Sequence, residues 1–513
     1  MGCFSKWLPF LIPEVLMEVA VPNISAYTIA LEAWRRGLTV TFNQSGTKYT
    51  VGSSKKSLKW GFELAINPKK GPFYTFKRAN KVCTFDRSMY VSKNSLNAHR
   101  ICINKGETKI YLANKKVPVP LGRQFSSDAS DDEILNFAKT IGYPIVIKPN
   151  KGRMGKGVFI NIMDENILKE KLILLRQELK YKEIVVEQYV KGEEYRIFVI
   201  GNKAFCALKR IAANITGNGH DNIWKLINAK NEARRKNPFL SRGTIEITEE
   251  VLNRIGKFGY SLNSVLPKGK RLYLSERPAP LTGGDTVDVT DEISEKAKKV
   301  AVAAVSAVPG LHQGGVDLII ESGNDNEGKC YVLEINSKAQ IGNHLFPVHG
   351  TARDVPGAII DFYFPESKKH KRQNRNLYFN IKKLLRPIKC GIASAEITLA
   401  PAPKGKVTTM LVEISWQRMP DVDFRLWARK RALKLNLNGF AKNLESGRMI
   451  IVVSGKRKNV KVFKRACKKD FGKTNVSKSK IEIQKWNKPI LAGFQINLSR
   501  LRTHFSFCHQ AAD

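Results

Sequence analysis

The 513-residue chain is 42% hydrophobic and 26% charged, a balance that excludes a disordered polymer and allows two or three domains with cores of their own. Its 87 Lys and Arg against 45 Asp and Glu give a formal charge of +42, which favours anionic partners such as nucleic acid, nucleotides or acidic metabolites. The basic residues are scattered, and no helix-turn-helix, zinc-finger or aromatic RNA-binding pattern accompanies them, so nucleic acid is not the expected partner.

The eight cysteines (Cys3, Cys83, Cys102, Cys206, Cys330, Cys390, Cys467 and Cys508) are widely spaced and include no C-x-x-C pair, which suits a reducing cytoplasm. Residues 7–16 are apolar but too short and proline-broken to span a bilayer, and Lys6 stands where a myristoylation signal wants Ser or Thr. The expectation is a cytoplasmic chain without a membrane partner.

In chain order, residues 23–36 read as an amphipathic helix and 38–42 as a strand, within an α/β lead-in of about a hundred residues. From Pro118 the pattern sharpens. Ser130 and Glu133 make a capping box ahead of a helix over 134–140. Residues 143–149 (YPIVIKP) predict a short buried strand, and a glycine-rich turn at 151–157 (KGRMGKG) leads to another at 158–162. A helix over 164–180 follows, then strands at 183–189 and 195–200 separated by Lys191-Gly192. A helix closes near Pro309-Gly310, and strands at 315–320 (GVDLII) and 330–335 (CYVLEI) flank a turn at 325–328. The basic stretch 368–375 (KKHKRQNR) reads as a linker, with a second break at 401–406 (PAPKGK). Beyond it the order is strand 408–417, helix 424–435, a strand near 439–442, strand 448–454, helix 460–468 and strand 480–486. That order predicts a ferredoxin-like α+β sandwich.

Two groups of residues carry chemistry. Gly152, Gly155 and Gly157 lack the side chains that would keep backbone N–H groups away from phosphate oxygens, and Lys148 ends the strand just before them. Asp317 interrupts an apolar strand, while Glu334 and Asn336, two apart in the next strand, share one face. A lone carboxylate in such a run is costly, whereas two carboxylates and an amide oxygen brought together suit Mg²⁺.

The order of these motifs over about 105–365 resembles the ATP-grasp superfamily, and within it the ligase domain of bifunctional glutathione synthetases and cyanophycin synthetases. The segments that carry the resemblance are IVIKPNKGRMGKGVFI, VVEQYVKGEEYRIFVI, ALKRIAANITGNG, LTGGDTVDVTDE, GGVDLII and LEIN. The resemblance implies that Lys105 and Lys148 grip the nucleotide phosphates under a loop containing Gly152, Gly155 and Gly157. It makes Glu187, Gln188, Tyr189 and Val190 the adenine hinge and Glu194 the ribose ligand. Arg210 would steady the transferred phosphoryl group and, with Lys148, act in catalysis, while Asp317, Glu334 and Asn336 would hold Mg²⁺ or Mn²⁺ beside ATP. Ser275, Ala279 and Leu281 depart from the family's arginine, asparagine and serine around the glycine pair, Asn218 replaces an aspartate, and SKAQIGNH follows Asn336 in place of N-P. The nucleotide half therefore carries over and the family's substrates do not.

The segment DFRLWARKRALKLNLNGFAKNLESGR resembles acylphosphatase, with Arg425 matching the phosphate-binding arginine and Asn443 the asparagine that positions water. Asp421 and Asp423 stand where that family has glycines, and carboxylates there would repel a phosphate.

The expected architecture is α/β and α+β: an N-terminal lead-in at 1–100, an ATP-grasp domain at 101–365, a basic linker at 366–406, an acylphosphatase-like sandwich at 407–495 and a tail at 496–513. The expected function is ATP-dependent joining of a carboxylate to an amine through an acyl phosphate, on amino-acid or peptide substrates. The alternatives are acyl-phosphate hydrolysis, or nucleotide binding without catalysis. Small-molecule carboxylates and amines are the expected partners, and a homo-oligomer is compatible with the sequence.

Overall fold

The computed structural model describes residues 7–43, 48–52, 82–152, 155–321, 328–390, 396–403, 405, 407–416, 424–444, 446–472 and 479–497. The chain divides into two compact units, one within 1–26 and 83–362, the other within 27–82 and 363–513.

The first unit is built on two sheets. Helix α1 (Lys105–Asn114), capped by the Asn104 side chain, precedes a four-stranded sheet of β1 (Gly122–Phe125), β2 (Ile145–Pro149), β3 (Phe159–Ile162) and β4 (Ile184–Gln188), in the order β1-β4-β2-β3. Between β1 and β2 lies the helix Asp131–Ile141, where Ser130 accepts from the Glu133 amide, one half of the expected capping box. Ile134, Ala138, Ile145, Ile147, Ile184 and Val186 fill the core between this sheet and its helices. The helix expected over 164–180 is α-helical only from Glu165 to Ile173, and Leu174–Glu178 winds into a π-turn.

The larger sheet has five strands, β5 (Gly192–Ile200), β6 (Lys203–Ile211), β7 (Asp285–Asp288), β8 (Gln313–Glu321) and β9 (Cys330–Asn336), in the order β7-β6-β5-β8-β9 and antiparallel throughout. Helix α2 (Glu295–Ala307) covers one face with Ala297, Ala301, Ala304 and Val305, against Ile197, Val199, Val316 and Leu318. The turn expected at 325–328 lies, apart from Gly328, outside the described residues. Because side chains alternate across a strand, the residues between those core positions all face the other way. That second face carries the site.

In the second unit, the helix Ile24–Arg35 enters from the first unit's last N-terminal residues and is followed by the strand Thr39–Asn43. This helix is not amphipathic as its sequence suggests: residues 24–36 are all buried. Its polar members are paired instead of solvated, as in the fully buried Glu32–Arg36 ion pair at 2.7 Å. The segment 366–406 carries the helix Ile381–Lys389 and the strands Leu377–Tyr378 and Glu396–Thr398.

The C-terminal sandwich consists of β10 (Val407–Trp416), α3 (Phe424–Lys434), β11 (Asn438–Asn443), β12 (Met449–Lys456), α4 (Arg457–Gly472), β13 (Ser479–Gln484) and β14 (Phe494–Asn497). Its strand order is β13-β10-β12-β11-β14, with both helices on one face. The first four strands give the ferredoxin-like arrangement expected from the sequence. The fifth, β14, pairs parallel to β11 and lies where only the end of the domain and a tail are expected.

Candidate functional site

On the open face of the larger sheet, register dictates the neighbours. Glu194 and Arg196 are two apart on β5; Arg210 of β6 lies opposite Glu194, and Asp317 of β8 lies opposite Arg196. Glu334 of β9 lies opposite Asp317, and Asn336 follows it on the same face. Arg196 grips Asp317 with two bonds of 2.6 Å, and Arg210 binds Glu194 and stands 3.3 Å from Asp317. The Asn336 amide donates to Glu334 at 2.8 Å and approaches Asp317 at 3.4 Å. Burial alone would raise the Asp317 carboxyl, but the two guanidiniums outweigh it and hold its pKa at about 2. Burial pushes Glu194 up despite Arg210, while burial acting to lower Arg210 is overcome by Asp317 and Glu194, which push it up. The cluster holds three carboxylates (Glu194, Asp317, Glu334) against two guanidiniums, a surplus of negative charge at the β8–β9 edge.

The smaller sheet supplies the opposite sign. Lys148 of β2 donates to Glu187 of β4 at 2.8 Å, and Lys109 of α1 approaches the same carboxylate at 2.8 Å. Glu187 is 2% exposed; burial would raise its pKa, but the two lysines hold it below the ordinary range. Lys105, one helical turn before Lys109, donates to the Gly152 carbonyl at 3.4 Å, at the root of the glycine loop. Burial lowers its pKa, with Glu334 opposing and Lys148 reinforcing, so this ammonium feels both sheets at once. Lys109 and Lys148 share one glutamate, and with Lys105 nearby they leave positive charge beside the loop.

The loop root is tightly built. Gly106 donates to Asn150 Oδ1 at 3.0 Å, and a Cβ at Gly106 would come within 1.8 Å of the Gln124 side chain, so only glycine lets α1 approach β1. Gly155 and Gly157 both have positive φ, and Arg277 donates to the Gly155 carbonyl at 2.6 Å. In the hinge, the Gln188 and Tyr189 amides are taken by the carbonyls of Leu121 and Pro144, which leaves Val190 N–H as the amide of 188–190 without a backbone partner among the described residues.

The structure thus brings Lys105, Lys148, Gly152 and Glu187 together at one sheet and Glu194, Arg210, Asp317, Glu334 and Asn336 at the other. Arg425 opens α3 and Asn443 ends β11 in the second unit, while Asp421 and Asp423 lie outside the described residues. Sequence reading missed Arg196, Lys109 and Arg277. The first two had a signal: Arg196 shares strand parity with Glu194, and Lys109 is four residues on from Lys105 in a helix. Asn218, the departure from aspartate, still makes the turn, since its Oδ1 accepts from the His220 and Asp221 amides at 3.1 and 2.9 Å. A cavity of about 320 Å³ lined by Asn214, Lys230, Arg271, Asp285 and His349 is separate from this cluster. Ile211 and Asp285, which line it, point to the opposite sheet face from Arg210 and Thr286.

A family described as the ATP-grasp domain matches residues 102–341, and one described as acylphosphatase matches 418–496. Residues 102–341 form an ATP-grasp domain. The chain is 31% identical to cyanophycin synthetase of Geminocystis herdmanii over 54% of its own length and 32% of that protein's. It is 32% identical to the glutathione biosynthesis bifunctional protein GshAB of Streptococcus mutans over 51% of this chain and 35% of that one. The chain therefore spans about a third of the length of these curated relatives. A bifunctional glutathione synthetase structure from Pasteurella multocida matches with a TM-score of 0.42 at 27% identity, over 56% of this chain and 40% of that one. The C-terminal sandwich is acylphosphatase-like in fold. No helix among the described residues is long and apolar enough to cross a membrane.

Proposed function

We propose that the chain is an ATP-dependent carboxylate–amine ligase that makes an amide or peptide bond on amino-acid or peptide substrates through an acyl phosphate. The observation that carries this reading is the opposition of charges across one site: lysines beside a glycine loop on one sheet, and Asp317, Glu334 and Asn336 on the other, with Lys105 sensing both. Lys105 and Lys148 would hold the triphosphate, the Val190 amide and the hinge carbonyls would read the adenine edge, and Glu194 would meet the ribose.

The donor set fits magnesium, which commonly takes one or two carboxylates and completes its shell with phosphate oxygens and water. Among the described residues no group of three or more His, Cys, Asp or Glu side chains is arranged for a metal, and the site here has two carboxylates and an amide. A half-turn of the Asn336 amide would put its oxygen where the nitrogen now faces both carboxylates. Bound magnesium would neutralise charge on the transferring phosphoryl group.

In the proposed reaction the γ-phosphoryl passes to a carboxylate oxygen and ADP leaves. The amine then attacks the acyl carbon, inorganic phosphate leaves, and the nitrogen loses a proton. Arg210, held by Glu194 and Asp317, presents a fixed positive charge to the phosphoryl oxygens, the kind of preorganised donor whose removal costs about 10²–10³ in kcat. ADP formation should require both a carboxylate and an amine from a panel of amino acids and peptides. Lys148→Ala and Asp317→Asn should each lower it at least a hundredfold, and unchanged turnover in either variant would refute the assignment.

A second reading concerns the C-terminal domain, where the acylphosphatase match with Arg425 and Asn443 both present supports acyl-phosphate hydrolysis. That activity would appear without ATP on a synthetic acyl phosphate and vanish in Arg425→Ala.

A further inference from the structure

Helices α3 and α4 spend their apolar faces on one core. Ala428, Ala432, Val460, Phe463 and Cys467 pack with Val412, Ile451 and Val453 of the sheet. Trp427 joins the two helices side by side, its ring centroid 5.8 Å from that of Phe463 and its Nε1 donating to Asp470 at 3.1 Å. Asp470 is the single acidic residue in the two helices, against twelve Lys and Arg, and that bond engages it. The outward surface is therefore cationic, with Arg429, Lys430 and Lys434 exposed on α3 and Lys461, Arg465 and Lys468 exposed on α4.

A merely solvated helix face is usually laced with opposite charges four residues apart, each such pair adding a few tenths of a kcal/mol. Here the four-residue pairs are like-charged: Lys430 with Lys434, Lys461 with Arg465, and Lys464 with Lys468. The arrangement works against helix stability and is relieved by a ligand carrying several regularly spaced negative charges. A bilayer fits less well, because surface-bound helices need a free apolar face and these two show none among the described residues. The exposed Leu426, Leu433 and Val462 are single side chains among cations. We propose that the helical layer of the C-terminal sandwich is a docking surface for the phosphodiester backbone of a nucleic acid. It is assembled from two helices brought together by the fold, which is why no linear recognition motif announces it.

The test is fluorescence anisotropy of the full-length chain with labelled 24-base-pair duplexes of arbitrary sequence, one DNA and one RNA, between about 50 and 200 mM salt. Wild type should bind with an affinity that falls steeply with salt, and a tenfold preference for either duplex would name the source of the backbone. The triple variant K461E/R465E/K468E should bind at least tenfold more weakly, with the salt slope reduced by about two to three. K203E/K225E/K257E changes three exposed lysines of the first unit by the same net charge and should bind within threefold of wild type. R429Q/K430Q/K434Q on the companion helix provides an independent weakening should the first variant melt early. Equal losses in the first-unit variant would overturn the proposal in favour of non-local charge attraction. Absence of binding at 100 mM salt, or capture only of phosphatidylserine vesicles, would overturn it as well.

Discussion

Glu187 is squeezed between Lys148 and Lys109 with almost no access to water. Removing one member of a buried ion pair leaves the others uncompensated, a loss of about 3–5 kcal/mol. Glu187→Gln should accordingly lower the melting temperature by many degrees while Glu193→Gln, whose carboxylate reaches a half-exposed Lys209, should leave it nearly unchanged. Asp317 makes a pH-dependent contribution. Its pKa of about 2 lies below the ordinary aspartate value of 3.8, so the stabilisation from Arg196 and Arg210 is complete above pH 4 and is lost as pH falls towards 2. An acid titration followed by circular dichroism should show Asp317→Asn losing less stability over that window than wild type. Asp317 and Glu334 were legible from the sequence as exceptions, charges set in apolar strands, whereas Glu194 and Arg210 were reached only through the family resemblance. Their partners were less so, because Arg196 reads as an ordinary strand arginine until register puts it opposite Asp317.

At the scale of elements, the glycine loop is closely packed where it ends at Gly157. Gly157 has φ of 72°, and a Cβ there would meet Leu175, Pro149 and Tyr181 at 2.9–3.1 Å. A left-handed conformation costs other residues about 1–2 kcal/mol, and the clash adds to it. Gly157→Ala should lower stability by at least that amount and raise the KM for ATP more than it lowers kcat, read from steady-state kinetics and denaturant unfolding. The strands of the first unit follow from short apolar runs ended by glycine or proline, which is why β2, β4, β8 and β9 fall close to their expected bounds. The helix Ile24–Arg35 deceived by composition: Ser25, Thr28, Glu32 and Arg35 suggest a wet side, yet all are buried. Strand β14 was hidden for another reason. Its four residues, Phe494–Asn497, are too few for periodicity, and only pairing with β11 defines them.

At the scale of the molecule, an ATP-grasp domain and an acylphosphatase domain lie on one chain that spans about a third of the length of its curated relatives. The first would make acyl phosphates in the proposed reaction, and the second matches the acylphosphatase family over residues 418–496. Which of these chemistries the whole chain performs depends first on whether the two charged halves of the ATP-grasp site hold a magnesium nucleotide. Isothermal titration of the full chain with a non-hydrolysable ATP analogue, with and without Mg²⁺, addresses this most directly. The wild type should bind the analogue at least tenfold more tightly with Mg²⁺, and Asp317→Asn should lose most of that gain while Lys148→Ala weakens binding under both conditions. Equal affinity for the analogue and for AMP, or a magnesium effect untouched by Asp317→Asn, would contradict it.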